Sequence, residues 1–354
     1  MTTPTSQQPF ETEFSSLQSA VSRLQHAVRL NHVRGVLERL DTDINNLPGR
    51  IATLRSQGYA FENTLEAEAS HIQSAWPASE TIARAEIETQ TGPLVSELRL
   101  VEAQLNHLAT LRSNPAQARP LMARLQTAVQ TLQSKTDAAE RTVLNSIQPL
   151  RAKVSTLHSR LEKIEWMMKQ LAEACFKLLA TESGIMAVKA VWCQDVKERP
   201  EDPDGVLYLT DQRLIFEQKE EIATKKVLFI TTAKEKVQAL RWEIPIALLQ
   251  EVKPSKQGLL KNEDHLDLRF APGASLQTVH LHIWQDANEW VQLLNRAHTR
   301  DFDQTRALKI DETVQEKVKS APSQCPSCGA NITQTVLRGM DSLKCEYCGY
   351  TIRL

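Results

Sequence analysis

Residues 205–216 have the sequence GVLYLTDQRLIF, in which two apolar runs flank the polar residues Thr210, Asp211 and Gln212. Short runs of apolar, β-branched and aromatic residues favour β-strands, and polar residues between two such runs favour a tight turn. The stretch therefore predicts two adjacent antiparallel strands. Similar runs surround it, and they predict strands at residues 185–196, 205–210, 213–218, 226–232, 237–244, 248–253, 265–270 and 278–284.

One helix follows the predicted strands. Asp286 is a typical N-cap residue, and Glu289 three positions later completes a capping box ahead of the apolar residues Trp290, Val291 and Leu294. Seven or eight antiparallel strands followed by a single amphipathic helix predict a small antiparallel β-barrel or sandwich that the helix closes at one end.

The motif at residues 205–216 resembles the strand–turn–strand signature of GRAM domains, which have the pleckstrin-homology (PH) superfold. The helix that contains Trp290 is similar to the helix that closes that fold. This resemblance covers about residues 183–300. It implies a PH-like module that binds lipid or protein and is not an enzyme.

The loop between the first two predicted strands departs from the pattern of lipid-binding PH domains. Those domains typically have a basic loop here, whereas residues 195–204 contain five acidic and two basic residues. We therefore do not expect inositol phosphates to bind at the usual site. A calcium site is the less favoured interpretation, because the spacing of the acids matches no known calcium loop and Pro203-Asp204-Gly205 favours an exposed turn.

The N-terminal half has helical periodicity and resembles generic coiled-coil and helical-bundle regions. Apolar residues recur at spacings of three and four from Phe14 onward, and the most regular repeat lies at residues 150–178. We expect Pro48, Pro77 and Pro115 to end helices, so that the chain reverses direction. An elongated antiparallel bundle is thus favoured over a parallel coiled-coil dimer.

Two C-x-x-C pairs near the C-terminus, each followed by glycine, are the strongest chemical signal in the sequence. Zinc takes four thiolates in a tetrahedron, and each pair places two thiolates on one metal ion. Residues 332–337 and 342–344 predict a hairpin around Arg338-Gly339, as in a zinc ribbon. A redox dithiol pair or an iron site is the less favoured alternative. The predicted ligands of one structural zinc ion are Cys325, Cys328, Cys345 and Cys348.

A basic cluster on the middle strands is a candidate contact for an anionic headgroup or an acidic partner. A solvated face is the favoured interpretation, because Glu235 and Glu243 lie close to it in sequence. The cluster consists of Lys225, Lys226, Lys234, Lys236 and Arg241.

Two histidines and two further cysteines are candidates of lower rank. His280 and His282 alternate with apolar residues and share one strand face, where we expect exposed side chains because the sequence places no further metal ligands beside them. Cys175 lies in the helical repeat and Cys193 on a predicted strand. Both are expected to be buried small apolar side chains.

The predicted protein is multidomain α + β: a helical bundle or coiled coil, a PH-like β-barrel closed by a helix, and a zinc ribbon. Its predicted parts are a disordered N-terminus at 1–12, the helical region at 13–181, the GRAM/PH-like domain at 183–300, a charged linker at 301–324 and the ribbon at 325–354.

Composition and missing motifs limit the classes of function that the sequence supports. With 42 basic and 43 acidic residues the net charge is −1, so any nucleic acid or membrane must be bound by a local basic surface. The sequence predicts no transmembrane segment, and paired cysteines predict a reducing cytoplasmic environment. Nucleotide-binding and hydrolase motifs are missing, which argues against an enzyme.

These features predict a non-catalytic cytoplasmic adaptor or scaffold with protein partners, whose helices supply reach or homo-oligomerisation. One alternative is a nucleic-acid-associated regulator that uses the ribbon for contact, although the ribbon has only three basic residues against two acidic ones. A second alternative is a peripheral membrane protein that binds through the PH-like domain.

Overall fold

The computed structural model describes residues 7–195, 198–227, 230–258, 262–310, 324–332, 338–340 and 342–353, without the side chains of 7–9, 115 and 222–235. The chain divides into two compact units. One comprises Met1–Pro48 and Ala67–His158, and the other comprises Gly49–Glu66 and Ser159–Leu354.

The N-terminal half is helical, as predicted. Its helices are α1 (Gln7–Ala27), α2 (Asn31–Ser56), α3 (Leu65–Thr110) and α4 (Pro115–Ala172). In the first unit, Arg34 of α2 pairs with Glu88 of α3 at 2.8 Å, and Lys135 of α4 pairs with Glu97 of α3 at 2.6 Å. Apolar seam residues such as Leu37 and Leu125 are completely buried. The helices thus contact each other within one chain.

Two of the predicted helix ends are wrong. Helix α2 continues through Pro48, and α3 continues through Pro77. A proline inside a helix removes one backbone hydrogen bond, but Leu47 and Ile51 on either side of Pro48 are both buried, and this packing offsets the loss. Pro115 instead begins α4, at the position where a helix needs no N–H donor.

The predicted repeat at residues 150–178 ends earlier than expected. Helix α4 stops at Ala172, and after Ile164 the next buried apolar residue is Met167. A Cβ added at Gly184 would lie 2.8 Å from the Met167 sulfur and 2.5 Å from a Leu171 methyl. The last turns of α4 therefore face a strand rather than another helix, which changes the buried face. Cys175 lies beyond the helix and is exposed, contrary to expectation.

Seven antiparallel strands form one sheet in the second unit. Its strand order is β4-β3-β2-β1-β7-β6-β5. The hairpin predicted from residues 205–216 is present, with Leu207 paired to Phe216. The strands are β1 (Gly184–Cys193), β2 (Asp204–Thr210), β3 (Arg213–Val227), β4 (Ile230–Pro245), β5 (Leu249–Gln257), β6 (Glu263–Phe270) and β7 (Thr278–Ile283).

Strands β3 and β4 are longer than predicted. They pair from Arg213 with Pro245 to Val227 with Ile230, so the separate strand expected at 226–232 is the end of this long hairpin. Polar residues at 217–226 and 231–238 interrupt the apolar pattern, and for this reason the sequence predicted shorter strands.

The predicted closed barrel is wrong. Among the described strands the sheet is open, with β4 at one edge and β5 at the other. Pro245 ends β4 and Pro254 lies within β5. Proline donates no hydrogen bond to a neighbouring strand and is therefore confined to sheet edges and strand ends.

The predicted helix α5 (Ala287–His298) follows β7 and packs against β5. Asp286 is its N-cap and accepts hydrogen bonds from the N–H groups of Asn288 and Glu289. Trp290 is completely buried, as expected for a helix that covers the sheet. The Glu289 carboxylate pairs with Lys163 of α4 at 2.7 Å, a contact that the capping-box prediction did not anticipate.

No helix among the described residues has a stretch that is both long enough and apolar enough to cross a bilayer.

Candidate metal centre

The two C-x-x-C segments form turns of the same shape. The Cys325 N–H donates to the Ala330 carbonyl at 2.8 Å, and the Cys345 N–H donates to the Tyr350 carbonyl at 2.9 Å. The glycine after each pair has a positive φ, +72° at Gly329 and +74° at Gly349. Glycine adopts this conformation without a steric penalty, which explains its place after each cysteine pair.

A short antiparallel pair connects the second turn to the rest of the ribbon. Strand β8 (Ser342–Lys344) was predicted, and it pairs with β9 (Thr351–Arg353), which was not. Of the other predicted strand, residues 333–337 lie outside the described residues. Ile352 follows the second cysteine pair. It packs with Cys325 and Cys345 in a small buried core.

The folded turns bring the four predicted cysteines together. All four Sγ atoms lie within 4.8 Å of one another. The distance from Cys325 Sγ to Cys348 Sγ is 3.7 Å, and the distance from Cys328 Sγ to Cys345 Sγ is also 3.7 Å. Metal–sulfur bonds of about 2.3 Å in a tetrahedron imply sulfur–sulfur edges of about 3.8 Å. The cluster therefore has the geometry to hold one tetrahedral metal ion.

The backbone around the cluster favours the thiolate form of one ligand. N–H groups of Cys348 and Tyr347 point at the Cys345 sulfur and lower the pKa of that thiol to about 7. A thiolate is the form of cysteine that binds metals.

The ribbon contacts the sheet through Arg338. Its guanidinium donates to both carboxylate oxygens of Asp303, at 3.1 and 3.2 Å, and also to Asp211. Asp211 lies in the β2–β3 turn, within the motif at residues 205–216, and it also pairs with Arg306 at 2.5 Å. One buried carboxylate thus connects the sheet, the segment after α5 and the ribbon.

Gly339 packs directly against the same turn. It is buried and has a φ of +94°. A Cβ at this position would lie 2.5 Å from the Gln212 carbonyl oxygen and 3.1 Å from Arg213. Only glycine fits this contact. The sequence indicated a turn at Arg338-Gly339, but it gave no sign of what the turn contacts.

The turn that receives the ribbon is itself fixed by buried ion pairs. Arg213 pairs with Glu182 at 2.6 Å and with Glu243 at 2.5 Å, and Thr210 donates to Glu182 at 2.6 Å. Glu182 and Arg213 are almost completely buried, and charges at such sites need partners of this kind. These charged groups are therefore assigned a structural role.

The basic cluster is described only in part. Lys236 and Arg241 of β4 are exposed, and Arg241 donates to Gln218 at 2.5 Å. The side chains of Lys225, Lys226 and Lys234 lie outside the described residues. The cluster as a binding surface remains a prediction.

The histidines of β7 are not the exposed side chains that we expected. His280 and His282 are partly buried, and His265 of β6 stacks against both, with ring centroids 5.1 and 4.7 Å away. The acidic loop contacts this group, because Glu198 accepts a hydrogen bond from His282 Nδ1 at 2.6 Å. Cross-strand pairing brings these residues together, and sequence spacing alone does not reveal such pairing.

Burial shifts the titration of two residues in this group. It lowers the pKa of His265 to about 4, and the neighbouring histidines add to the effect. Burial also raises the pKa of the Cys193 thiol to about 12. The prediction that Cys193 is buried is confirmed.

No family model and no curated protein matches the chain. Among solved structures, the N-terminal PH domain of Vps36 is similar at 21% identity over 35% of this chain and 83% of that chain, with a TM-score of 0.24. PDZ-RhoGEF DH/PH domains, solved with activated RhoA, are similar at 13% identity over 83% of this chain and 93% of that chain, with a TM-score of 0.26.

The DH/PH domains of p115-RhoGEF are similar at 11% identity over 84% of this chain and 95% of that chain, with a TM-score of 0.22. TM-scores of this size do not establish a shared fold. Membership of the GRAM family therefore remains a prediction from residues 205–216.

Proposed function

We propose that this chain is a non-catalytic adaptor in which one structural zinc ion folds the C-terminal ribbon and the ribbon presents a docking surface for a protein partner. The observation that carries the proposal is the four-cysteine cluster, in which two sulfur–sulfur distances of 3.7 Å match those of a tetrahedral site and all four sulfur atoms lie within 4.8 Å of one another.

The donor set supports zinc in a structural role. Four thiolates in a tetrahedron suit zinc, and they leave no coordination position for a reactive water. Arg338 and Gly339 tie the same ribbon to the sheet. The metal therefore stabilises a module that is held in a defined place, which is what a docking element requires.

The ribbon also presents exposed aromatic side chains. Tyr347 is 73% exposed and Tyr350 is 48% exposed, both on the second cysteine turn. Tyrosine is enriched in protein interfaces because it combines a large apolar ring with a hydroxyl group. We assign the docking surface to these two residues.

The proposal extends to the compartment and to the helices. Six free cysteines, four of them in a metal-binding cluster, need a reducing environment such as the cytoplasm. The long helices supply reach or self-association, which matches a scaffold better than an enzyme.

Capture of partners by the full-length chain tests this function. We expect Tyr347→Ala with Tyr350→Ala to lose the partners that the unmodified chain retains from its native cell lysate, as measured by quantitative mass spectrometry. The matched control is Trp284→Ala, because Trp284 is an aromatic residue directly after β7 that is 53% exposed. Equal retention by all three proteins would contradict a tyrosine docking surface, provided that zinc content and circular dichroism are unchanged.

The nucleic-acid alternative is favoured by the same two tyrosines, since bases stack on exposed aromatic rings. Against it, Arg338 is already engaged with Asp211 and Asp303. DNA and RNA binding measured at several salt concentrations separates the alternatives, because each phosphate contact steepens the dependence on salt. A steep dependence that disappears in the tyrosine variant would replace the adaptor proposal.

The membrane alternative depends on the basic cluster. Flotation with vesicles that contain anionic lipid tests this alternative. The comparison is between the unmodified chain and a chain that carries both Lys225→Glu and Lys226→Glu. Binding that this variant loses at low salt would favour a peripheral membrane protein.

A further inference from the structure

A second group of metal-binding side chains lies on one face of the sheet. On β7, His280 is paired with Cys193 of β1 on one side and with Asp267 of β6 on the other. Side chains of directly paired residues point to the same face of a sheet. Two residues along β7, His282 is paired with His265 of β6 and reaches the same face.

Three of these residues have the separations of metal ligands. The donor atoms of Cys193, His265 and His280 all lie within 4.8 Å of one another. His265 Nδ1 and His280 Nε2 are 3.1 Å apart. Two imidazole nitrogens on one tetrahedral zinc ion, each about 2.0–2.1 Å from it, would be about 3.3–3.4 Å apart. A small outward movement of the two rings therefore makes room for the ion.

A carboxylate already orients one of the two rings. Asp267 Oδ1 lies 2.5 Å from His280 Nδ1, so the proton of that ring is on Nδ1 and the lone pair of Nε2 faces His265. Histidine ligands of metals commonly donate their other N–H to a carboxylate in this way. Gln257 Nε2 lies 3.4 Å from the same His280 Nε2 and gives it only a long contact.

His265 is the least satisfied member of the group. Its side chain is 1% exposed, and among the described residues its Nε2 atom has no hydrogen-bond partner. A buried polar atom without a partner is unfavourable and needs an explanation. When His265 donates from Nδ1 to His280, the lone pair of Nε2 is left without a donor.

Metal binding removes this problem. If a metal ion takes the lone pairs of His265 Nδ1 and His280 Nε2, the His265 proton moves to Nε2. Glu263 Oε2 lies 3.8 Å from His265 Nε2, and after a small movement this carboxylate oxygen can accept a hydrogen bond from the Nε2–H group. Each imidazole then has a carboxylate partner. The Cys193 thiol gives up its proton to solvent and becomes the third ligand.

We propose that Cys193, His265 and His280 bind a divalent transition-metal ion, with Asp267 as the positioning residue of His280. One thiolate and two imidazoles suit zinc. Three protein ligands leave a fourth position for water or another small ligand, unlike the closed four-cysteine cluster. His282 is not a ligand, because its ring hydrogen-bonds Glu198 and stacks on Trp284 with centroids 4.2 Å apart.

Metal content of the untagged, full-length chain tests this proposal. After zinc loading and gel filtration, we expect two zinc ions per unmodified chain by elemental analysis. Cys193→Ser and His280→Asn should each reduce the content to one, while His282→Gln should retain two. One ion in the unmodified chain with the four-cysteine cluster filled would overturn the proposal, as would two ions in both Cys193→Ser and His280→Asn.

Cobalt spectroscopy makes the test independent of the ribbon. In a chain with all four ribbon cysteines replaced by serine (Cys325→Ser, Cys328→Ser, Cys345→Ser and Cys348→Ser) the ribbon offers no thiolate, so Co²⁺ should report the sheet site through thiolate charge-transfer and tetrahedral d–d absorption. Adding Cys193→Ser should abolish the charge-transfer band, and adding His280→Asn should weaken Co²⁺ binding at least tenfold. If Cys193→Ser loses the sheet signal in circular dichroism, the His280→Asn result decides. Absence of a thiolate band in the chain without the four ribbon cysteines would refute the sheet site and leave the zinc-ribbon proposal unaffected.

Discussion

The four-cysteine cluster and the Cys193–His265–His280 cluster differ in how their donor atoms come together. In the ribbon, each C-x-x-C pair is one tight turn, and the turn itself sets the separation of its two thiols. On the sheet, the donors come from β1, β6 and β7, and strand register brings them together. The first kind of site is visible in sequence spacing, whereas the second is visible only when the register is known.

The surroundings of the two clusters also differ. Among the described residues of the ribbon, the buried apolar side chains are Leu343 and the cluster of Cys325, Cys345 and Ile352, with Ile332 packed against that cluster, which is too little apolar surface to fold so short a segment. Beneath the sheet cluster lie completely buried residues such as Leu266 and Leu281. A metal ion should therefore be required for folding in the ribbon and should only add stability on the sheet.

Cys345→Ser tests this contrast most strongly. Structural zinc contributes about 10–16 kcal/mol of apparent binding free energy in small zinc domains, so we expect the variant to lose one zinc ion and the fold of the ribbon. The helices and the sheet should remain folded. Elemental analysis gives the zinc content, and limited proteolysis and circular dichroism give the folding of each part.

The control for this variant is Cys175→Ser, because Cys175 is exposed and belongs to neither cluster. It should behave like the unmodified chain. Retention of both zinc ions by Cys345→Ser would show that the ligands are assigned wrongly. Unfolding of the sheet would show that the ribbon supports more of the molecule than its contacts at Arg338 and Gly339 indicate.

Gly339→Ala should have the next largest effect. An alanine here would have a strained positive φ, and its Cβ would lie 2.5 Å from the Gln212 carbonyl oxygen. The backbone strain alone costs about 1–3 kcal/mol. We expect faster proteolysis of the ribbon with zinc retained. Gly273→Ala is the matched control, because Gly273 has a φ of +99° and no atom within 4 Å of its added Cβ. Equal destabilisation by both variants would mean that Gly339 does not fix the ribbon to the sheet.

The sequence predicted those features that local spacing determines. Thr210, Asp211 and Gln212 marked the β2–β3 turn, the cysteine spacing marked the four-cysteine cluster, and Asp286 marked the start of α5. In each case the residues that set the geometry are within a few positions of one another, so their chemistry is sufficient to predict the structure.

Features that depend on distant parts of the chain were missed. Pro48 does not end α2, because buried apolar residues on both sides offset one missing hydrogen bond. The sheet stays open at β4 and β5, which no single segment reveals. The sequence does not indicate His265 as a ligand, because only pairing of β6 with β7 places it beside His280 and His282. Packing and register decide such features, and neither is a local property.

Asp267→Asn tests the carboxylate that orients His280. Loss of a carboxylate that orients a histidine ligand typically weakens metal binding about tenfold to a hundredfold. We expect the affinity of the sheet cluster to fall by this factor, while the zinc in the ribbon is unchanged. Competition with a chromophoric chelator measures the affinity. Glu251→Gln on the neighbouring strand β5 is the control, because Glu251 pairs only with Lys253 and Arg269 among the described residues. Equal zinc affinities of the Asp267→Asn and Glu251→Gln chains would show that Asp267 does not position His280.

Glu198→Gln should have the smallest effect, and it decides between two donor sets that share His265. Glu198, His265 and His282 also offer donor atoms within 4.8 Å of one another. However, the Glu198 side chain is 37% exposed and already accepts a hydrogen bond from His282, so we interpret this contact as a hydrogen bond that holds the acidic loop.

A hydrogen bond of this kind contributes about 0.5–1.5 kcal/mol, and glutamine keeps an oxygen that can accept it. We therefore expect Glu198→Gln to keep two zinc ions per chain and to lower the thermal midpoint only slightly, with faster proteolysis confined to the loop at 194–203. If both Glu198→Gln and His282→Gln lose the second zinc ion while Cys193→Ser retains it, the ligands are instead Glu198, His265 and His282. The sheet site would then consist of a carboxylate and two imidazoles, and Cys193 would be only a buried apolar side chain.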